Sequence, residues 1–155
     1  MCAWRSLMPL AFLALAVACD NPVKPTPPID LAGTWSLQTR ASTSCANNIP
    51  ADTRNRSYST IVITQASGMV TMVAPGMNSG IPLLVGGVDG GQIQGQFDFN
   101  DGAPNNQLVI TGYLTATVDS ARTTTAGTLN GAFIPWSVPN ASCVAADHQM
   151  TFTKR

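Results

Sequence analysis

The chain has 155 residues, no formal net charge at pH 7, and only 10% charged residues. This length fits one domain, and the charge balance argues against a nucleic-acid-binding protein, which would need a basic face to meet phosphates. The acidic residues are all Asp, and Lys occurs only at positions 24 and 154. Because Glu and Lys are good helix formers, the composition favours strands over a helical bundle.

Residues 1–18 have the pattern of a secretion signal. Arg5 precedes an apolar stretch from Leu7 to Val17, and residues 16–18 supply the small side chains that a signal peptidase needs. The apolar stretch is too short to span a bilayer of roughly 30 Å as a helix. We therefore expect residues 1–18 to be a cleaved leader, with a buried N-terminal helix as the alternative.

Cys19 directly follows the expected cleavage site, and "LAVAC", residues 15–19, resembles the lipobox of bacterial lipoproteins. In those proteins the cysteine becomes the first residue and its sulfur carries a diacylglycerol. The resemblance implies that Cys19 anchors the protein to a membrane of the bacterial cell envelope, on the periplasmic or surface side. An ordinary secretory cleavage is the alternative, and it would give a secreted protein with Cys19 free or paired.

A proline-rich segment follows Cys19. Residues 20–29 contain four prolines, which favour an extended polyproline conformation of about 3.1 Å per residue. We expect residues 19–30 to form a lipidated tether that holds a folded domain, residues 31–155, roughly 30 Å from the membrane. A ligand for an SH3-like domain is the competing interpretation.

From residue 33 onward, apolar and polar residues alternate with the period of two that is typical of half-buried strands. Turn signals such as Ser67-Gly68, Asn78-Ser79-Gly80 and Asp89-Gly90-Gly91 separate the alternating segments. The predicted strands cover residues 33–39, 58–65, 69–74, 81–87, 92–100, 108–118, 127–133 and 149–155. About eight such strands without a helix predict an all-β, antiparallel up-and-down barrel, whose closure removes exposed edges.

One face of each predicted strand is apolar, and these faces define an inward set. Gly95, Gly112 and Gly131 lie inside three consecutive strands, where glycine marks a tightly curved sheet. An eight-stranded barrel can either be filled by side chains or hold one small ligand, and the sequence leaves both open. The inward set comprises Trp35, Leu37, Ile61, Ile63, Ile93, Phe97, Phe99, Leu108, Ile110, Leu114, Leu129, Phe133, Met150 and Phe152.

Two cysteines remain for the folded domain once the leader and Cys19 are set aside. Cys45 and Cys143 most simply form one disulfide, because such bonds persist in exported proteins. A closed loop of roughly 100 residues stabilises a fold by up to about 4.7 kcal/mol on the chain-entropy argument. The bridge predicts that the first and last strands are close, and a zinc site is disfavoured because the chain has no CxxC motif and one His.

The stretch "DLAGTWSL", residues 30–37, resembles the first-strand motif of the calycin superfamily, the lipocalins and their relatives. In that family a Gly-x-Trp motif opens the barrel, the indole closes the barrel floor, and a basic side chain from near the end of the barrel packs across it. The resemblance implies these roles for Gly33 and Trp35, with Lys154 or Arg155 as the basic residue. Avidins also begin with Gly-x-Trp. Bacterial metalloprotease inhibitors begin with a similar LAG-x-W and carry a cysteine about ten residues later, as Cys45 stands to Trp35.

Two non-catalytic functions follow from this interpretation. The first is binding of a small apolar ligand inside the barrel, for which the candidate ligand-binding side chains are Trp35, Phe97, Phe99, Leu114, Phe133 and Phe152. The second is a protein-interaction or protease-inhibitor-like module in the envelope that acts through its loops, above all the polar loop from Arg40 to Arg56. We expect neither catalysis nor a metal or other cofactor. The single His148, beside Asp147, is interpreted as a turn residue at the entry to the last strand.

Overall fold

The computed structural model describes residues 29–77, 81–102, 107–138 and 140–155. Their strands follow one another in sequence order, each antiparallel to the next, and the last pairs with the first to close an eight-stranded barrel. The strands are β1 Gly33–Arg40, β2 Asn55–Ala66, β3 Met69–Val73, β4 Leu84–Asp89, β5 Gln92–Asn100, β6 Leu108–Val118, β7 Thr124–Pro135 and β8 Cys143–Lys154. The predicted up-and-down barrel is therefore confirmed.

Several sequence predictions concern residues that the structure does not describe. The leader at residues 1–18, the acylated Cys19, most of the tether and the turn at residues 78–80 lie outside the described residues. Within the described ranges, no helix is long and apolar enough to cross a membrane.

Strand boundaries agree best where the alternation is regular, as in β5 and β6, whose bounds match the prediction. β4 begins at Leu84 rather than at Ile81, beyond Pro82, which has no amide hydrogen to donate to a ladder. β8 begins at Cys143, six residues before the predicted start. Its pairing with β7 shifts register between His148 and Ala145, and such a bulge interrupts the period of two that would have revealed the strand.

The segment between β1 and β2 was predicted to be a polar loop from Arg40 to Arg56 without helix, and this prediction was wrong in two respects. Arg40 and Arg56 belong to β1 and β2, and the segment between them contains two short 3-10 helices, Thr43–Asn47 and Ala51–Thr53. It also buries Ala41, Ser42, Cys45, Ile49 and Thr53. The segment is thus folded and partly buried rather than an exposed polar loop.

The barrel interior is formed by the predicted inward set. Every member of that set is buried, with at most 2% of its surface exposed. The core also contains residues that were not on the predicted list, among them Leu31, Tyr58, Val70, Met72, Leu83 and Leu84. The alternation along each strand therefore identified the inward face correctly but did not give the whole core.

Glycines permit the close approach of neighbouring strands at two places. Gly112 of β6 lies opposite Gly131 of β7, and a Cβ on Gly112 would stand 2.6 Å from the Gly131 Cα atom. Gly95 of β5 lies opposite Gly86 of β4 in the same way, and a Cβ on Gly95 would stand 2.6 Å from the Gly86 Cα atom. Real side chains do not approach that closely, so the close approach of the strands requires glycine at these positions. The link between Gly95, Gly112 and Gly131 and sheet curvature stays a prediction.

The two ends of the barrel differ. The basal end carries residues 29–32 and the turns between β2 and β3, β4 and β5, and β6 and β7. The loop end carries the longer connections between β1 and β2, β3 and β4, β5 and β6, and β7 and β8. These two names are used below.

Candidate functional site

The six candidate ligand-binding side chains all lie in the barrel interior. A side chain that lines a ligand-sized hollow leaves part of its surface facing that hollow. Phe99 is 1% exposed, and the other five, Trp35, Phe97, Leu114, Phe133 and Phe152, are 0% exposed. All six belong to the hydrophobic core of the described residues, and their exposures leave them no surface that faces a ligand-sized hollow.

The basal end is closed by the Gly-x-Trp motif and the end of β8. The Trp35 indole N–H donates a hydrogen bond to the Leu31 carbonyl oxygen at 2.9 Å. The Lys154 Nζ atom lies 5.7 Å from the centroid of the Trp35 ring, within the range of a cation–π contact. Arg155 does not share this role in the structure: it is exposed, and its backbone N–H donates to the Thr34 carbonyl oxygen at 2.9 Å. Gly33 keeps the floor compact, because a Cβ there would stand 3.3 Å from Lys154 Cε.

At the loop end, the predicted disulfide joins Cys45 and Cys143, whose Cα atoms are 5.5 Å apart. Cys45 lies in the first 3-10 helix, and Cys143 is the first residue of β8. Both side chains are buried. The bond therefore fixes the β1–β2 connection to the end of the β7–β8 connection.

His148 supports the same region from inside the barrel. The Ser42 backbone N–H donates to His148 Nδ1 at 3.0 Å, so Nε2 carries the proton and donates to the Gly131 carbonyl oxygen at 3.2 Å. The imidazole stacks on Phe133 with 4.4 Å between ring centroids, and burial lowers the pKa of His148. The prediction of a turn residue was wrong, because the bulge in β8 places His148 within the strand and turns it inward, while Asp147 is exposed.

A second buried polar cluster fixes the β5–β6 connection. The Tyr58 hydroxyl donates to Asp101 Oδ2 at 3.4 Å, and the Leu108 backbone N–H donates to Asp101 Oδ1 at 2.8 Å. Arg56 Nε lies 3.9 Å from the same carboxylate. Burial, reinforced by the negative charge of Asp101, raises the pKa of Tyr58 far above its usual value, so the phenol stays protonated as the donor. Sequence reasoning did not identify this cluster, because its members come from β2, from Asp101 just after β5, and from the start of β6.

An apolar surface stands beside the disulfide on the outside of the loop end. Trp136 is 66% exposed and lines one depression with Ile134 and Val138. Val144, 75% exposed, pairs with Ala132 on the outward face of β7 and β8 to which Ile134 also belongs. We call these four residues the Trp136 patch. A shallow depression of about 370 Å³ occupies part of it, lined by Ile134, Pro135, Trp136, Val138, Asn140, Ala141 and Ser142. Contiguous apolar surface of this kind marks interaction sites on soluble domains.

The sequence analysis did not predict the Trp136 patch, although the sequence contains one indication of it. Ile134 and Val144 occupy outward positions of β7 and β8, where strict alternation calls for polar side chains. Only the pairing of β7 with β8 shows that these two outward positions share one surface.

The described residues hold no group of three or more His, Cys or Asp side chains placed to bind a metal ion. No family model, no curated protein and no solved structure matches this chain.

Proposed function

We propose that this chain is a non-catalytic lipoprotein of the bacterial envelope that binds a partner protein through its loop end, with the Trp136 patch at the centre of the contact. The observation that carries the proposal is the exposure of Trp136, 66%, on a connection held by a disulfide. Tryptophan is enriched among the residues that contribute most of the energy of protein–protein binding.

The rigidity of the loop end supports this proposal. The disulfide links the β1–β2 connection to the first residue of β8, and the Ser42–His148 hydrogen bond ties the same connection to β8 a second time. The Arg54 side chain also donates to the Ile49 carbonyl oxygen at 3.1 Å and to the Ala46 carbonyl oxygen. A surface that is already ordered loses less conformational entropy when a partner binds.

The chemistry of the patch fits a protein partner. The apolar side chains of Ile134, Trp136 and Val138 line the same depression as the polar residues Asn140 and Ser142. An apolar centre with a polar rim is the usual arrangement of a protein–protein interface. We infer a partner that presents a complementary apolar pocket and little charge.

The packed interior favours this function over carriage of a small apolar ligand. A ligand inside the barrel would have to displace fully buried side chains such as Phe97 and Leu114, and protein interiors resist such displacement because they are close-packed. The envelope location rests on the leader and on Cys19, and it is consistent with a disulfide, which persists in oxidising compartments.

The test is photo-crosslinking in the native envelope, with a photoreactive residue placed at position 138. We expect one predominant protein adduct that is lost in Trp136→Ala, because alanine removes the exposed ring without touching the core. Tyr113→Ala, which removes a half-exposed aromatic ring from a distant outer position on β6, is the matched control and should keep the adduct. The proposal is contradicted if Trp136→Ala leaves the adduct intact, or if the chain instead co-purifies with a small apolar molecule.

A further inference from the structure

A trough on the outside of the barrel crosses β3 to β6 near the basal end and has a volume of about 500 Å³. Gly87 lines it and pairs with Met69 on β3 and with Gln94 on β5. Because glycine has no side chain, the surface is low between these two neighbours. The volume lies within the range of roughly 300–1,000 Å³ that small-molecule sites occupy.

Amide and carboxylate groups line part of the trough. Gln92 and Gln94 are exposed on the same face of β5, and Gln94 Nε2 donates a hydrogen bond to Gln92 Oε1 at 3.3 Å. The Gln92 Nε2 group, a donor, and the Gln94 Oε1 atom, an acceptor, take no part in that bond. Asp89, the register partner of Gln92 on β4, adds the acceptor oxygens of its carboxylate. The trough therefore presents both donors and acceptors to a ligand.

Tyr113 supplies an aromatic ring to the same trough, and it is 50% exposed. In the β5–β6 ladder Tyr113 pairs with Gln96, so it is the diagonal neighbour of Gln94 on the outward face, a separation that an aromatic side chain can bridge. Met69, 51% exposed, is an apolar side chain on β3 at the other side of the trough. An open aromatic ring thus lies beside hydrogen-bonding groups.

This combination favours a saccharide over other ligand classes. Asp89 is the one charged side chain among the described lining residues, and its charge repels an anionic ligand. An apolar ligand would leave the amides and the carboxylate without partners. A peptide cannot add as a further strand, because the barrel formed by the described strands is closed. A sugar ring, in contrast, has C–H groups that pack on the negative face of an aromatic ring, and its hydroxyl groups donate and accept.

We propose that the trough binds a neutral, N-acetylated saccharide, with a sugar ring on Tyr113 and an acetamido group beside the Gln92 and Gln94 amides. The acetamido N–H matches Gln94 Oε1 as acceptor, and the acetamido carbonyl oxygen matches Gln92 Nε2 as donor. Its methyl group fits the exposed Met69 side chain, and Asp89 accepts from sugar hydroxyl groups. The site is separate from the Trp136 patch, so the inference does not depend on what the loop end binds.

The test is a titration of the unacylated chain with chitotriose, the trimer of N-acetylglucosamine, followed in the backbone amide spectrum. We expect saturable shifts at Gly87, Gln92 and Gln94. Cellotriose, the glucose trimer with the same linkage, lacks the acetamido groups. It should bind at least about tenfold more weakly, because it loses the hydrogen bonds to the two amides.

Variants of the trough test the same assignment. Tyr113→Ala should weaken chitotriose binding about tenfold because it removes the stacking ring, whereas Tyr113→Phe keeps the ring and should bind nearly as well as the wild type. Gly87→Leu should abolish binding because its side chain fills the trough. That variant should fold, since the nearest atom to a Cβ at position 87 is the Gly68 carbonyl oxygen at 4.0 Å. Thr128→Leu, at an exposed position on β7, is the control and should keep the wild-type affinity.

The amide spectrum of β1 and β8 reports in each variant whether the barrel is intact. The proposal is overturned if chitotriose causes no saturable shifts at the trough, or if an intact Tyr113→Ala or Gly87→Leu variant binds it as tightly as the wild type does. Equal affinity for cellotriose would also overturn it, because the acetamido group would then have no role. Shifts centred on Trp136 instead would place the saccharide at the loop end and contradict the assignment to the trough.

Discussion

Lys154 Nζ lies 5.7 Å from the centre of the Trp35 ring, so the last residue of β8 covers the motif with which β1 begins. The two residues are also register partners in the β1–β8 ladder. The contact therefore lies at the seam where the barrel closes, and the indole beneath it is fully buried.

Lys154→Ala should reduce the free energy of unfolding by about 0.5–1 kcal/mol, because it removes the cation–π contact and part of the cover over Trp35. The measurement is urea denaturation monitored by tryptophan fluorescence. Arg155→Ala is the control and should change stability less, because the Arg155 side chain is exposed. Equal effects of the two variants would show that the Lys154–Trp35 contact makes no specific contribution to the free energy of unfolding.

Replacing both Cys45 and Cys143 by Ala should lower the free energy of unfolding by about 2–4 kcal/mol, since the bond closes a long loop. Urea denaturation of the oxidised wild type and of the double variant gives this difference. Adding a reductant should destabilise the wild type toward the double variant and leave the double variant unchanged. The same midpoint for all samples would contradict a stabilising bridge at the loop end.

Stability should fall as the pH drops below about 6.5, the usual pKa of histidine in an unfolded chain. Burial lowers the pKa of His148 in the folded state, so the unfolded chain binds the proton first and gains relative stability. The contribution is fully present above pH about 6.5 and is lost as the pH falls toward the lowered folded pKa. Protonation at Nδ1 also removes the acceptor for the Ser42 N–H.

The measurement for His148 is the free energy of unfolding at several pH values between about 7.5 and 5, a range chosen around the unfolded pKa. His148→Gln is the comparison variant: it should be less stable at neutral pH but should have a flatter profile in this range. A wild-type profile that rises on acidification, or the same slope in both proteins, would refute the role assigned to the imidazole.

Gly131→Ala should destabilise the barrel by about 3 kcal/mol or more, because overpacking against rigid backbone is costly. A Cβ at position 131 would stand 2.0 Å from the Thr111 carbonyl oxygen, whereas one at Gly87 has no atom closer than 4.0 Å. Gly87→Ala is therefore the matched control and should be close to neutral. Thermal unfolding of both variants checks the prediction. If Gly131→Ala and Gly87→Ala lost the same stability, close strand approach would not be the reason why position 131 requires glycine.

Much of the barrel could be predicted because each strand has one polar face toward solvent and one apolar face toward the core. In β5, for example, the core-facing side is identified by Ile93, Phe97 and Phe99 without reference to any other strand. The start of β8 could not be predicted in this way, since a bulge near His148 breaks the period. That bulge depends on pairing with β7, which a local pattern does not contain.

The loop end was harder to predict for a similar reason. The polar composition between β1 and β2 suggested an exposed loop, yet the segment folds because Cys45 bonds Cys143 and Ser42 bonds His148. These partners are about 100 residues away along the chain, a separation at which local propensity carries no information. The Trp136 patch likewise exists only once β7 and β8 are side by side.

The most direct test of the proposed function is the affinity of the unacylated chain for the partner identified by crosslinking, measured by calorimetry for three proteins. We predict that Trp136→Ala weakens binding by at least about 30-fold, which corresponds to the roughly 2 kcal/mol of a hot-spot residue. Leu114→Met, a volume-conserving change in the packed interior, should bind like the wild type. Unchanged affinity in Trp136→Ala, with weaker binding in Leu114→Met, would place binding inside the barrel and contradict the account.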